Sequence, residues 1–146
     1  MTHAHSDIDW HDSLLSKRFM ALKAAATLYV LCIPVSHFAL PYALIWGIAV
    51  FFLIAMLFTY PAAAWRSGNH FSLELWISLC LALVGFMGLF TTPWLIIAGI
   101  FDHGVWDLMK HCGHGTPFFG WYISGCVAVD WCYAAALTIF LLTGPI

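Results

Sequence analysis

The chain has 146 residues, of which 63% are hydrophobic and only 8% are charged. A soluble domain carries about 25% charged residues, so this composition is typical of a membrane protein. Five Lys and Arg residues cannot form a basic surface large enough to hold nucleic acid. The composition therefore excludes a soluble enzyme and a nucleic-acid-binding protein, and it makes the lipid bilayer the expected surrounding.

The N-terminal region, residues 1–18, is a tail rich in His and Asp that precedes the first apolar stretch. Its segment from Ser6 to Ser16 places Trp10 and two leucines on one side and the acidic side chains on the other. This pattern favours a short helix that lies on the membrane surface.

Apolar stretches fill the rest of the chain, and a spanning helix needs roughly 17–25 such residues. We predict spans over about residues 19–38, 42–60, 70–90, 94–111 and 118–142. Proline and glycine separate the stretches, at Pro41, Pro61, Pro93 and the run from Gly113 to Pro117. Residues 19–146 are thus expected to form one all-α integral membrane domain, a bundle of five transmembrane helices.

The positive charges predict the orientation of this bundle. With five spans they all fall on one side of the membrane, at Lys17, Arg18, Lys23, Arg66 and Lys110. The turns on the other side carry no Lys or Arg. The positive-inside rule therefore predicts a cytoplasmic N-terminus and an outside C-terminus, in a bacterial-type cell (inner) membrane.

One segment, residues 102–114, concentrates side chains that ionise or bind metals. Its members are Asp102, His103, Asp107, Lys110, His111, Cys112 and His114. Ionisable groups are costly in hydrocarbon, so such a group indicates a functional site. At about 100° per residue, His103, Asp107 and His111 are successive i,i+4 neighbours on one helix face. Imidazole and carboxylate ligands suit Zn, Fe or Mn.

Helix rise gives the depth of each polar residue. Glu74 and Asp107 each lie roughly 6 Å inside the cytoplasmic boundary, while Asp102 and Asp130 lie roughly 14 and 19 Å inside it. His70 is the i,i+4 neighbour of Glu74. We therefore expect two polar layers, an inner one of His70, Glu74, Asp107, Lys110, His111 and His114 and a midplane one of Asp102, His103 and Asp130.

These layers carry the functional hypothesis. The predicted metal ligands are His70, Glu74, His103, Asp107, His111 and His114. The predicted catalytic groups are Asp102, His103, Asp107 and Asp130. A divalent Zn, Fe or Mn ion would polarise a substrate or activate a water. We predict a metal-dependent membrane enzyme that acts on a lipid or another apolar small molecule; a metal-free version would use a carboxylic acid and a histidine as acid and base.

Two other functions and a structural role stay open. The same layers fit a small oligomeric transport module that conducts protons or metal ions. They also fit an accessory subunit whose polar residues pair with a partner in a membrane complex. A purely structural network is disfavoured by charge, because four carboxylates face one clearly intramembrane cation, Lys110. A metal ion, bound protons or protonated histidines must balance the excess.

Overall fold

The computed structural model describes residues 40–144 and four separate positions, 24, 27, 28 and 32. The predicted tail and most of the first predicted span lie outside these residues. Within residues 40–144 every regular element is a helix. The helices are α1 (Tyr42–Leu57), α2 (Thr59–Ser67), α3 (Phe71–Gly88), α4 (Pro93–His111) and α5 (Gly120–Thr143).

Three helical segments are long and apolar enough to cross a membrane. They are α1 together with α2 (26 residues), α3 (18 residues) and α5 (24 residues). The 19-residue α4 is not among them. It carries Asp102, Asp107 and Lys110. The protein is therefore all-helical in its described part and has helices of membrane-spanning character, while the five-span count and the orientation stay predictions.

The helical backbone continues through Pro61, where the sequence predicts the end of a span. Only Phe58 separates α1 from α2, and it keeps right-handed helical dihedral angles. Pro61 has no N–H to donate to the Leu57 carbonyl, four residues earlier. The Ser78 hydroxyl of α3 donates to that carbonyl instead, at 3.0 Å. A neighbouring helix thus supplies the bond that proline removes, which is how prolines are tolerated in membrane helices.

The bundle has two ends of different composition. We call the end where α4 begins the Pro93 end, and the end where α2 finishes the Arg66 end. Most of the apolar core lies toward the Pro93 end, and Leu53 is one of its fully buried members. A Cβ atom on Gly85 would lie 2.6 Å from Leu53 Cδ2, and one on Gly99 would lie 3.0 Å from it. These glycines let α3 and α4 approach α1 closely, as small residues do in membrane bundles.

Large apolar side chains cover much of the outer surface. On α3, for example, Trp76 is 68% exposed and Leu83 is 59% exposed. A soluble monomer rarely exposes so much contiguous apolar surface. In a bilayer this surface faces lipid.

Candidate metal site

The buried face of α4 changes from apolar to charged along the helix. Toward the Pro93 end it presents Ile96 and Ile100, and toward the Arg66 end it presents His103, Asp107 and Lys110. The three polar residues are spaced by four and three positions, so they share one side of the helix. That side is buried against the rest of the bundle, and the charges therefore point into the protein and away from lipid.

The central feature is a cluster of three residues, His103, Asp107 and Asp130, which we call the His103 cluster. His103 Nδ1 lies 2.8 Å from Asp130 Oδ2 and 3.8 Å from Asp107 Oδ2. Their exposed fractions are 1%, 0% and 0%. One ligand atom from each residue lies within 4.8 Å of the other two. The cluster thus combines residues from two helices at a spacing that a metal ion could bridge.

Gly104 allows α5 to bring Asp130 to this position. A Cβ atom on Gly104 would lie 3.2 Å from Asp130 Cβ and 2.7 Å from the Trp131 ring. The Trp131 indole N–H also donates to the carbonyl of Phe101, at 3.3 Å. A larger residue at position 104 would push α5 outward and separate Asp130 from His103.

Each member of the cluster keeps one buried polar atom without a hydrogen-bond partner among the described residues. These atoms are His103 Nε2, Asp107 Oδ2 and Asp130 Oδ1. Such unpaired atoms are rare, and each costs about 1–3 kcal/mol. The other two buried polar atoms of this kind, in Trp46 and Tyr133, belong to neutral side chains. The cluster is therefore the place in the described bundle where unmet polar capacity and charge coincide.

Tyr60 completes the surroundings of the cluster, although it was not among the predicted site residues. Its hydroxyl donates to Asp107 Oδ1. Its ring stacks on His103 with 6.1 Å between ring centroids, and Lys110 Nζ lies 4.2 Å from the centre of the Tyr60 ring. Tyr60 carries no formal charge and directly precedes Pro61, so the sequence predicts only the end of a span there.

A second polar group forms around Glu74. Lys110 Nζ donates to Glu74 Oε1, and the backbone N–H of Thr116 donates to the same oxygen at 2.7 Å. The Trp106 indole N–H donates to Glu74 Oε2 at 3.1 Å. Both carboxylate oxygens are therefore satisfied. Lys110 also lies over the Tyr60 ring, and Tyr60 in turn contacts Asp107. The side chains of Lys110 and Tyr60 therefore connect Glu74 with Asp107.

Besides Glu74, four other predicted site residues lie away from the His103 cluster. Asp102 is exposed beside an apolar groove between α4 and α5. His70 is exposed at the N-terminus of α3, and His114 is exposed with its Nδ1 3.1 Å from the Met109 carbonyl. His111 is half-buried at the end of α4. Their functional roles stay predictions.

The grouping differs from the two predicted layers. Asp107, predicted in the inner layer, lies with His103 and Asp130, while Glu74 and Lys110 form the separate group described above. Asp102, predicted beside Asp130, points outward because a single residue step turns a helix by about 100°.

No protein-family profile, no curated protein and no solved structure matches the chain. The described residues define a class: an all-helical bundle of membrane-spanning character, with a buried His/Asp/Asp group whose ligand atoms lie close enough together to hold a metal ion.

Proposed function

We propose that the protein is a membrane enzyme that binds one divalent transition-metal ion at His103, Asp107 and Asp130. The observation that carries the proposal is the convergence of three buried ligand atoms within 4.8 Å of one another. One imidazole and two carboxylates are a ligand set that suits Zn, Fe or Mn. The unpaired atom on each residue leaves capacity for a further bond.

Charge balance supports a divalent ion. Lys110 neutralises Glu74 within their buried ion pair. Asp107 and Asp130 then remain as two buried carboxylates beside one imidazole. In a low-dielectric interior two like charges at this separation repel strongly. A divalent cation cancels both charges and gains two charged ligands, while two bound protons would be the metal-free alternative.

Tyr60 acts in this proposal as the residue that orients a ligand. Its hydroxyl holds Asp107 Oδ1, which leaves Oδ2 free on the side of His103. Partners of this kind fix the orientation of ligating carboxylates and raise metal affinity.

The coordination number supports catalysis. Three protein ligands leave a position open, as catalytic metal sites do. An ion with an open position polarises a substrate or activates a water. The groove between α4 and α5 is lined by Phe101, Asp102 and Trp131, and Trp131 packs on Gly104 beside the cluster. This apolar surface supports access by a lipid or other apolar substrate from the bilayer.

Metal or proton transport is the second candidate. It is favoured by the continuous series of buried polar groups from Thr116 through Glu74, Lys110 and Tyr60 to the cluster. Flux measurements on proteoliposomes separate the two functions. A Zn²⁺ or H⁺ flux that Asp107→Asn abolishes would favour transport, whereas a retained metal ion without flux would favour the enzyme.

Metal analysis of the purified protein tests the proposal. We expect about one Zn, Fe or Mn ion per chain after loading and removal of free metal. His103→Gln and Asp130→Asn should lose this ion, because each removes a ligand. Unchanged elution and thermal unfolding in detergent would show that the variants remain folded.

Two matched controls sharpen the test. Asp102→Asn removes a carboxylate from the same helix but on its exposed side, and His114→Gln removes an exposed imidazole. Both should keep the metal. A parent protein that takes up no metal would overturn the proposal, as would equal loss from Asp102→Asn and Asp130→Asn.

A further inference from the structure

The loop between α4 and α5 is fastened to the Arg66 end of the bundle through Thr116. The Thr116 N–H donates to Glu74, and its hydroxyl donates to the Asn69 carbonyl at 3.1 Å. Lys110 Nζ lies 3.4 Å from the Thr116 carbonyl oxygen. As a result Thr116 is only 2% exposed, although it lies in a loop. The loop is thus tied both to the buried ion pair and to the turn that precedes α3.

The loop backbone lies directly on the ion pair at Gly115. A Cβ atom on Gly115 would lie 2.7 Å from Glu74 Oε1 and 3.1 Å from Lys110 Nζ. Gly113 also has a positive φ, +90° against +71° for Gly115, but a Cβ atom there would meet nothing within 4 Å. The two glycines therefore carry a similar backbone requirement, and only Gly115 contacts the ion pair.

Among residues 40–144, the buried core toward the Pro93 end contains no charged side chain that could guide a hydrated cation to the His103 cluster. There the buried face of α4 presents Ile96 and Ile100, packed with Leu53 and Leu137. Moving a charge through such a region without partners is costly. Toward the Arg66 end, by contrast, Tyr60 lies next to the cluster, and the ion pair of Lys110 and Glu74 lies beyond Tyr60. The polar side of the cluster is thus the side that the loop covers.

We propose that Glu74, Lys110 and Thr116 form a latch that controls how fast a metal ion reaches and leaves the His103 cluster. The proposal rests on the metal-binding function proposed above. When the ion pair opens, both charges become hydrated at the end of the bundle, and the loop lifts with Thr116. Such local openings occur without global unfolding. The latch then sets the exchange rate, while the three ligands set the affinity.

Release kinetics of the metal-loaded protein test the latch. We expect Gly115→Ala to release metal to excess EDTA about tenfold faster than the parent, because its new methyl group separates charge-assisted partners. Gly113→Ala is the matched control and should stay within about twofold, since it also places Ala at a positive φ but adds no contact with the ion pair. Thr116→Ala is a milder second variant, which removes only the bond to Asn69, and should fall between them.

Hydrogen–deuterium exchange of the metal-free protein gives an independent readout. The Thr116 amide should exchange slowly in the parent and in Gly113→Ala, and faster in Gly115→Ala. Faster exchange combined with an unchanged release rate would overturn the latch as the control of access. Equal release rates for Gly113→Ala and Gly115→Ala would also overturn it. If the parent protein takes up no metal at the loading step, the proposed metal-binding function is overturned. This outcome is distinct from failure of the latch, which requires a release rate measured on metal-loaded protein.

Discussion

The two halves of the bundle are held together by different forces. Toward the Pro93 end, Leu53 packs between Gly85 and Gly99 in an apolar core. Toward the Arg66 end, Glu74 and Lys110 form a buried ion pair. Lipid is as apolar as leucine, so burying Leu53 gains packing and little transfer free energy. Buried polar groups, in contrast, must find partners within the protein. The first half is therefore specified by shape and the second by matched polar partners.

A second contrast lies within the polar half. Both carboxylate oxygens of Glu74 accept hydrogen bonds, from Lys110, Thr116 and Trp106. In the His103 cluster every member keeps a buried polar atom that has no hydrogen-bond partner within the described part of the chain. A polar group that only stabilises the fold is expected to have all its hydrogen bonds formed, as the carboxylate of Glu74 has. The His103 cluster, with its unpaired atoms, is therefore the better candidate for function.

The largest effect is expected at Lys110. Lys110→Met removes the cation and leaves the Glu74 carboxylate buried without its charged partner. Breaking a buried ion pair in this way costs about 3–5 kcal/mol of unfolding free energy. Denaturant or steric-trap unfolding in bicelles would measure the loss. The double variant Glu74→Gln/Lys110→Met should recover part of it, because the neutral amide removes the unpaired buried charge and still offers one acceptor to the Thr116 or Trp106 N–H. If the double variant is as unstable as the single one, the ion pair is not what Lys110 contributes.

In the apolar half, Leu53→Ala should act through lost packing. Leu53 is fully buried, and we expect a cost of about 3 kcal/mol, toward the low end of the range for buried leucines, since the transfer contribution is small in lipid. The same unfolding assay measures this cost. Metal content should stay unchanged, because the three proposed ligands lie in the polar half. Loss of metal from a folded Leu53→Ala protein would contradict the separation of the two halves.

Periodicity and depth together predicted part of the polar half. The i,i+4 spacing placed His103 and Asp107 on one face, and the depth along the helices placed Asp130 near His103, as observed. Depth does not tell which way a side chain points, so Asp102 was placed in the same layer although it is exposed. The direction in which the Asp102 side chain points is set by how α4 packs on α5. That packing depends on Gly104 and its neighbours.

The contacts of uncharged residues were not predictable in the same way. Thr116 lies in a loop, and its bonds to Glu74 and Asn69 join residues that are distant in sequence. Tyr60 is hidden in an apolar stretch beside Pro61, and its importance depends on the helix continuing past that proline. Ser78 allows this continuation by satisfying the Leu57 carbonyl. A local sequence pattern contains neither kind of long-range partner.

The smallest effect is expected at Tyr60, and it concerns metal affinity. Tyr60→Phe keeps the ring on His103 and removes only the hydrogen bond to Asp107. Loss of a partner that orients a ligand lowers metal affinity by about 10-fold to 100-fold. Competition between the protein and a chromogenic chelator would measure the change. The visible spectrum of the Co²⁺-loaded protein should also shift, because a freed Asp107 carboxylate alters the ligand geometry.

Tyr133→Phe provides the matched control for Tyr60→Phe. Both tyrosines are 2% exposed, but the Tyr133 hydroxyl has no hydrogen-bond partner in the described residues. Removing it should leave metal affinity and the Co²⁺ spectrum unchanged. If both variants weaken metal binding equally, then Tyr60 acts through packing of the bundle and not through its hydrogen bond to Asp107. If only Tyr60→Phe does so, the hydrogen bond to Asp107 belongs to the metal site, and the polar half contains a residue whose role is functional despite its lack of charge.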